Sequence, residues 1–228
     1  MKCAIMQPTY IPWTGYFHMI DQVDVFVFLD DVQFAKRSWQ QRNKIAYNSV
    51  EKMITIPVVS KGLRDQKINE VHIDNQQDWS NQHLQLIKYA YSKKPFYKDL
   101  ETILPHYEKK HILLSNFTID VIKDISEKLG IMTTFLKSSD LPIYDKRSKY
   151  LLEICHYIGA DEYLSAAGSK EYIEEEQVFE ESLIKVSYHQ SSTYTYQQYR
   201  EMSFIPYLSI IDYIANRGFD NFREEILK

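Results

Sequence analysis

Two short apolar runs, Cys3 to Met6 and Val25 to Leu29, flank a short amphipathic segment at the start of the chain. No other feature limits the fold as much. Apolar runs of strand length read as parallel strands buried on both faces. Each run ends in polar groups: Gln7, Thr9 and Tyr10 after the first, Asp30, Asp31 and Gln33 after the second. Ligands of an open α/β sheet bind at the carboxyl ends of its strands, so these groups mark a candidate site. The basic and aromatic tail Lys36, Arg37, Trp39, Arg42 and Asn43 follows at once. Acidic groups and a cationic loop converging on one edge suit a phosphorylated or otherwise anionic ligand.

The remaining periodicity supports the same class. A helix from Pro12 to Gln22 follows the first strand, Lys2 to Met6, with Pro12 in its first turn, where a missing N–H costs nothing. Val23 to Leu29 is the second buried strand. Lys52 to Val59 and Lys67 to Ile73 read as further strands, the latter at an edge. From about residue 78 the period changes to that of helices: Asp78 to Ser92, Pro95 to Lys110, and Asn116 to Leu129 closed by Gly130. Strand Thr133 to Lys137, helix Lys146 to Ile158 closed by Gly159, and strand Glu162 to Ser165 restore the α/β alternation. A strand at Leu183 to Tyr188 and a helix at Tyr207 to Ala215 complete it. The expectation is a single α/β domain over 1–228, a Rossmann-like three-layer parallel sheet with a helical insertion about 78–130.

Composition removes several classes. With 44% hydrophobic and 25% charged residues, 228 residues can bury a real core. A net charge of −4 argues against general nucleic-acid binding. Cys3 and Cys155 read as small buried apolar residues, so neither a disulfide nor a metal cluster is expected. The opening MKCAIMQPTY lacks a signal-peptide pattern, and no apolar run reaches the length of a membrane span. A cytoplasmic protein is expected.

Each candidate group has a structural counterpart reading. Asp30 and Asp31 point to opposite faces while the strand lasts. One of them binds a hydroxyl, an amine or Mg²⁺, or acts as a base; otherwise the pair is a helix N-cap or a solvated loop. Lys36, Arg37, Arg42 and Trp39 make a phosphate clamp with a stacking plane, or a solvated loop. His18 is a general base or a core histidine. Ser138, Ser139 and Asp140 follow a strand and meet ligand hydroxyls or cap the next turn. Ser165 and Gly168 begin a small-residue loop whose backbone N–H groups suit an anion.

The stretch 7–43, with INEVHIDN (68–75), 138–173 and FIPYLSIIDYIANRG (204–218), resembles the WbqC-like family, bacterial proteins associated with O-antigen and surface-polysaccharide loci. The opening also resembles pantothenate synthetases, enzymes of a nucleotidylyl-transferase fold. They bind ATP at a His-x-Gly-His helix start and join a carboxylate to an amine through an acyl-adenylate. Trp13 and Tyr16 stand where that motif has its histidines, so both histidines are absent. Together the resemblances imply a nucleotidylyl-transferase type of sheet and amide formation on a nucleotide-linked amino sugar, with ATP and Mg²⁺ as the implied cofactors. Gln7, Thr9 and Tyr10 then contact the activated group, with Trp13 and Tyr16 beside them. Lys36, Arg37 and Arg42 hold phosphate, and Asp30 or Asp31 orients the amine or the metal. Two alternatives stand beside this: an acyltransferase using a CoA, carrier-protein or aminoacyl-tRNA donor, and a non-catalytic sugar-nucleotide-binding partner of a glycosyltransferase or other glycan-pathway enzyme.

Overall fold

The structure, a computed structural model, describes residues 1–190, 193–199 and 203–227. Its centre is a five-stranded, wholly parallel sheet built from β1 (Lys2–Met6), β2 (Val25–Phe28), β5 (Thr134–Lys137), β6 (Glu162–Ala166) and β7 (Lys185–His189). The spatial order is β5-β2-β1-β6-β7. The chain runs outward from β1 through β2 to β5, then returns to start again at β6, so the order reverses between β1 and β6. That reversal is the switch point at which doubly wound α/β folds bind ligands.

Strand pairing opens there. β1 and β2 stay paired as far as Met6↔Phe28, and β6 and β7 as far as Ala166↔His189. The pairing of β1 with β6 ends at Ala4↔Leu164, two residues earlier. The two central strands therefore part at their carboxyl ends.

Alternation along the strands makes the three layers. Ala4, Phe26, Phe28 and Leu164 enter one core with α1 (Thr14–Asp21), α2 (Trp79–Tyr91), α4 (Leu114–Lys128) and α7 (Ile210–Arg217). Cys3, Ile5, Val25, Val27 and Tyr163 face the opposite way, against α5 (Arg147–Tyr157) and α6 (Lys170–Glu176). α4 shows why such a segment folds: Leu114, Phe117, Val121, Ile122 and Ile125 recur at helical spacing and all are buried. Gly130 and Gly159, both at φ +71, end α4 and α5 in the left-handed conformation. Cys3 Sγ and Cys155 Sγ meet 3.6 Å apart as two buried free thiols.

Several expected boundaries shift for local reasons. The basic tail at 42–43 lies on a strand: β3 (Arg42–Tyr47) pairs antiparallel with β4 (Val50–Thr55) through the two-residue turn Asn48-Ser49. Both turn residues have positive φ, 50° and 62°, the hand that suits a tight hairpin. Lys67 to Ile73 is no strand; a 3₁₀ turn occupies Ile68–Glu70, and Ile73 makes a single bridge to Val58. The helix expected over Pro95 to Lys110 breaks into α3 (Tyr97–Glu101) and a 3₁₀ turn at Leu104–Tyr107, because Pro105 cannot donate to a continuing ladder. The last long helix begins at Ile210, not Tyr207, which sits at φ +55. A short α8 (Phe222–Glu225) follows it. Among the described residues no helix is long and apolar enough to cross a membrane.

Candidate functional site

The loop after β1 is held from three directions. Asn43 Nδ2 donates to the carbonyl oxygens of Tyr10 (2.9 Å) and Ile11 (3.0 Å). Ser209 Oγ donates to Ile11 O at 2.7 Å, and Tyr10 N donates to Trp39 O at 2.9 Å. Ile11 has φ +37, a conformation a β-branched residue rarely adopts. Strain of this kind persists where the surroundings over-determine it, and these bonds do so. Gln40 Nε2 then donates to Gln7 Oε1 at 2.8 Å, fastening the 35–41 loop to the end of β1.

The carboxyl ends of β2 and β5 carry the densest polar network at this edge. Asp30 is 2% exposed. It accepts from Ser139 N (3.0 Å) and Ser139 Oγ (2.9 Å). Burial raises its pKa, and the two Ser139 bonds oppose that rise. Asp31 lies beside it: Ser138 Oγ meets Asp31 at 2.5 Å and Asp30 Oδ1 at 3.3 Å, and the Tyr150 hydroxyl donates to Asp31 at 2.7 Å. The expected divergence applies only while the strand lasts, and β2 ends at Phe28, so the two carboxylates share Ser138. Asp30 closes the β2–β5 junction, and Asp31 borders open space.

That space is an elongated groove. Its charged half, about 700 Å³, is bounded by Asp31, Asp65, Asp145, Lys67, Lys146 and Arg147, with Gln33, Ile143 and Tyr144 beside them. Its apolar half, about 390 Å³, is walled by Leu29, Val32, Leu151 and Tyr172. Val32, Tyr150 and Arg147 border both. Arg147 opens α5 at φ +54 and pairs with Glu176 at 3.1 Å. Three cations and three carboxylates line the charged half, so it can pair phosphate oxygens and an ammonium at once. Among the described residues no group of three or more His, Cys, Asp or Glu side chains could hold a metal ion unaided. A Mg²⁺ bound there would take Asp31 and substrate phosphate oxygens, the usual pattern for that ion.

The structure brings Gln7, Asp30, Asp31, Ser138, Ser165 and Gly168 to the carboxyl edge of the sheet, at the ends of β5, β2, β1 and β6. Thr9 lies just beyond, and its Oγ1, like Ser165 Oγ, is buried without a hydrogen-bond partner. Asp140 is exposed at the end of the 3₁₀ turn Ser138–Asp140. Gly168 is exposed in a 3₁₀ turn before the short α6.

Other expected contributors are placed elsewhere. The Tyr10 hydroxyl lies in the core, bonded to Tyr107 (2.6 Å) and His83 Nδ1 (2.9 Å), and burial drives its pKa well up. Tyr16 is buried, donating to Gln7 O at 3.1 Å. His18 Nδ1 meets His189 Nε2 at 2.8 Å in a groove with Lys2 and Glu162, away from the acidic pair. Asn43 is the buried strut already described. Lys36 is tied to Ser60 O (2.9 Å), Arg37 and Trp39 are exposed, and Arg42 Nε is buried without a hydrogen-bond partner. Trp13 covers the start of α1 so closely that a Cβ on Gly15 would stand 2.3 Å from its ring.

Sequence reasoning missed Tyr150, Lys67 and Arg147, while Ser139, expected with Ser138 and Asp140 to meet ligand hydroxyls, bonds Asp30 instead. A usable signal existed for two of them. A helix entering a doubly wound sheet from the carboxyl edge puts its first turn there, and Arg147 and Tyr150 occupy the first turn of α5.

Comparison with known proteins agrees with the resemblance read from the sequence. The model of the WbqC-like protein family matches residues 7–224. The uncharacterized protein Rv1507c of Mycobacterium tuberculosis (strain ATCC 25618 / H37Rv) is 35% identical over 221 residues, covering 95% of this chain and 94% of that protein. No solved structure matches. The chain belongs to the WbqC-like protein family.

Proposed function

We propose that this chain is an enzyme of O-antigen or surface-polysaccharide biosynthesis that forms an amide on the amine of a nucleotide-linked amino sugar. The observation that carries the reading is Asp31, a carboxylate at the carboxyl edge, aimed into a groove and oriented by Ser138 and Tyr150. A carboxylate has about four acceptor positions, so two remain for substrate. In this reading Asp31 binds the sugar amine and takes its proton as the amine attacks the acyl carbon. Lys67 and Lys146 pair the diphosphate, and Asp30 holds β2 and β5 in register from beneath. The unlinked Cys3 and Cys155 suit the reducing cytoplasm. ATP with Mg²⁺ or a carrier-bound donor supplies the activated acyl group.

One observation favours the carrier-bound donor. In the enzymes that the opening resembles, ATP meets the start of the first helix, and here the Trp13 indole lies over that position. Transfer from a CoA, carrier-protein or aminoacyl-tRNA donor needs no nucleotide there.

A thermal-shift screen against ATP, CoA thioesters and UDP- or dTDP-linked amino sugars, each with and without Mg²⁺, tests both. A ligand bound by the native state raises Tm by mass action. Stabilisation by an amino-sugar nucleotide is expected. Stabilisation by CoA thioesters and not ATP selects the transferase. No response to any sugar nucleotide removes the reading.

A further inference from the structure

The groove beside Asp31 has two unlike compartments that meet at three residues. On the Asp31 side charged groups are set among Val32, Ile143, Tyr144 and Tyr150. On the other side, Leu29 at the end of β2, Val32 after it, Leu151 on α5 and Tyr172 on α6 enclose about 390 Å³ of mainly apolar space. This volume is that of a small-molecule pocket. Its single carboxylate, Glu176, accepts from Ser148 N and pairs with Arg147 Nη1 at 3.1 Å each. A guanidinium carries five N–H donors, so Arg147, whose side chain is 82% exposed, can pair a second anion at the rim where the compartments meet.

We propose that the Leu29–Val32–Leu151–Tyr172 chamber is an acyl pocket, which takes the hydrocarbon part of a short-chain or aromatic carboxylic acid while Arg147 pairs its carboxylate. The inference rests on the amide-forming reading by its ATP route, in which a free acid binds before it is activated, and deepens it by naming the acid's class; a carrier-bound donor has no carboxylate to meet Arg147. Desolvation selects the ligand. Each methylene buried is worth about 0.8 kcal/mol, close to a fourfold gain in affinity, so binding strengthens with chain length until the chamber is full. Tyr150 marks the border between acyl chain and sugar amine.

Ligand-observed NMR titration of the full chain with acetate, butyrate, hexanoate and benzoate tests this directly. Hexanoate and benzoate should bind at least tenfold more tightly than acetate, and hexanol, which lacks the carboxylate, should bind more weakly than hexanoate. Leu151→Trp, which fills the chamber, should abolish the chain-length trend. Tyr172→Ala, at a surface position 38% exposed that leaves the fold intact, should weaken hexanoate several-fold and acetate little. Equal affinities for acetate and hexanoate, or a hexanoate affinity unmoved in the folded variants, would overturn the pocket. The two readings fail separately. Carboxylate binding with no amino-sugar nucleotide binding keeps the pocket and removes the amide reading. Sugar-nucleotide binding without carboxylate binding does the reverse.

Discussion

The hydroxyl of Tyr150 donates to Asp31 Oδ2 at 2.7 Å across 119 residues of sequence, joining the first turn of α5 to the end of β2. Burial first, and the Asp31 carboxylate second, push the Tyr150 pKa up, so the phenol stays a donor at every physiological pH. Tyr150→Phe removes that donor and little else. A stability loss of about 1 kcal/mol is expected from the hydrogen bond, readable as a urea midpoint. Turnover should fall on the order of tenfold or more, because Asp31 loses its orientation. Full turnover in a folded Tyr150→Phe protein would show that Asp31 needs no such partner.

Gly15 is required by Trp13. A methyl group there meets the indole at 2.3 Å, and overpacking of this kind costs roughly 1–3 kcal/mol. Gly15→Ala should therefore lower Tm. The double variant Trp13→Ala/Gly15→Ala should lose less than the sum of the two single changes, as expected for residues sharing one contact. Simple additivity would mean that Gly15 matters for another reason.

Asn43→Ala deletes the strut under the strained Ile11. Tyr10 O loses its Asn43 donor, Ile11 O keeps only Ser209 Oγ, and Lys44 N loses its bond to Asn43 Oδ1 at 2.8 Å. Leaving buried backbone groups unpaired costs about 1–3 kcal/mol in total, or roughly 2–10 °C in Tm for a chain of this size. Proteolysis should begin to cut near residues 7–12 in the variant and not in the parent. Unchanged protection there would dissociate Asn43 from the rigidity of the loop.

Two buried groups give opposing pH dependence. Burial pushes the Asp212 carboxyl up to about 6. A raised carboxyl pKa adds stability that is complete below the unfolded value, near 3.9, and is lost as pH rises through 6, on the order of 2–3 kcal/mol. Burial, and then the neighbouring His18, lower His189 to about 4. A lowered histidine pKa adds stability that is complete above about 6.5 and is lost as pH falls toward 4. The two trends cancel in part between pH 4 and 6. Asp212→Asn should expose a stability that rises with pH across that window, and adding His189→Gln should make the rise shallower without removing it, because burial lowers His83 to about 4 as well. Urea midpoints at pH 4, 5, 6 and 7 for both variants check the signs.

The parallel sheet was legible because its strands are short apolar runs that end abruptly in Asp, Ser or Gln, as at Leu29–Asp30 and Lys137–Ser138. The β3–β4 hairpin was not: Arg42 to Thr55 mixes charged and apolar residues, and only the Asn48-Ser49 turn betrays it. Asp31 and Ser138 could be named from strand ends alone. Tyr150 and Arg147 had only a positional signal, the first turn of α5; that they meet at Asp31 depends on where α5 crosses the sheet. The same limit explains Tyr10 and Asn43. Both stand in a polar, site-like string, yet three-dimensional packing turns one into the core and the other into a strut.

The central claim is that Asp31 recognises the amine of a nucleotide-linked amino sugar. Calorimetric titration of wild type and Asp31→Asn with dTDP- or UDP-linked amino sugars, and with the matching hydroxyl sugars, tests it most directly. A charge-assisted hydrogen bond is worth about 1.5–3 kcal/mol, or roughly ten- to a hundredfold in affinity. Wild type should therefore prefer the amino sugar by that factor, and Asp31→Asn should bind both sugars alike. Equal binding of amino and hydroxyl sugars by wild type, or an amino preference that survives Asp31→Asn, would contradict it.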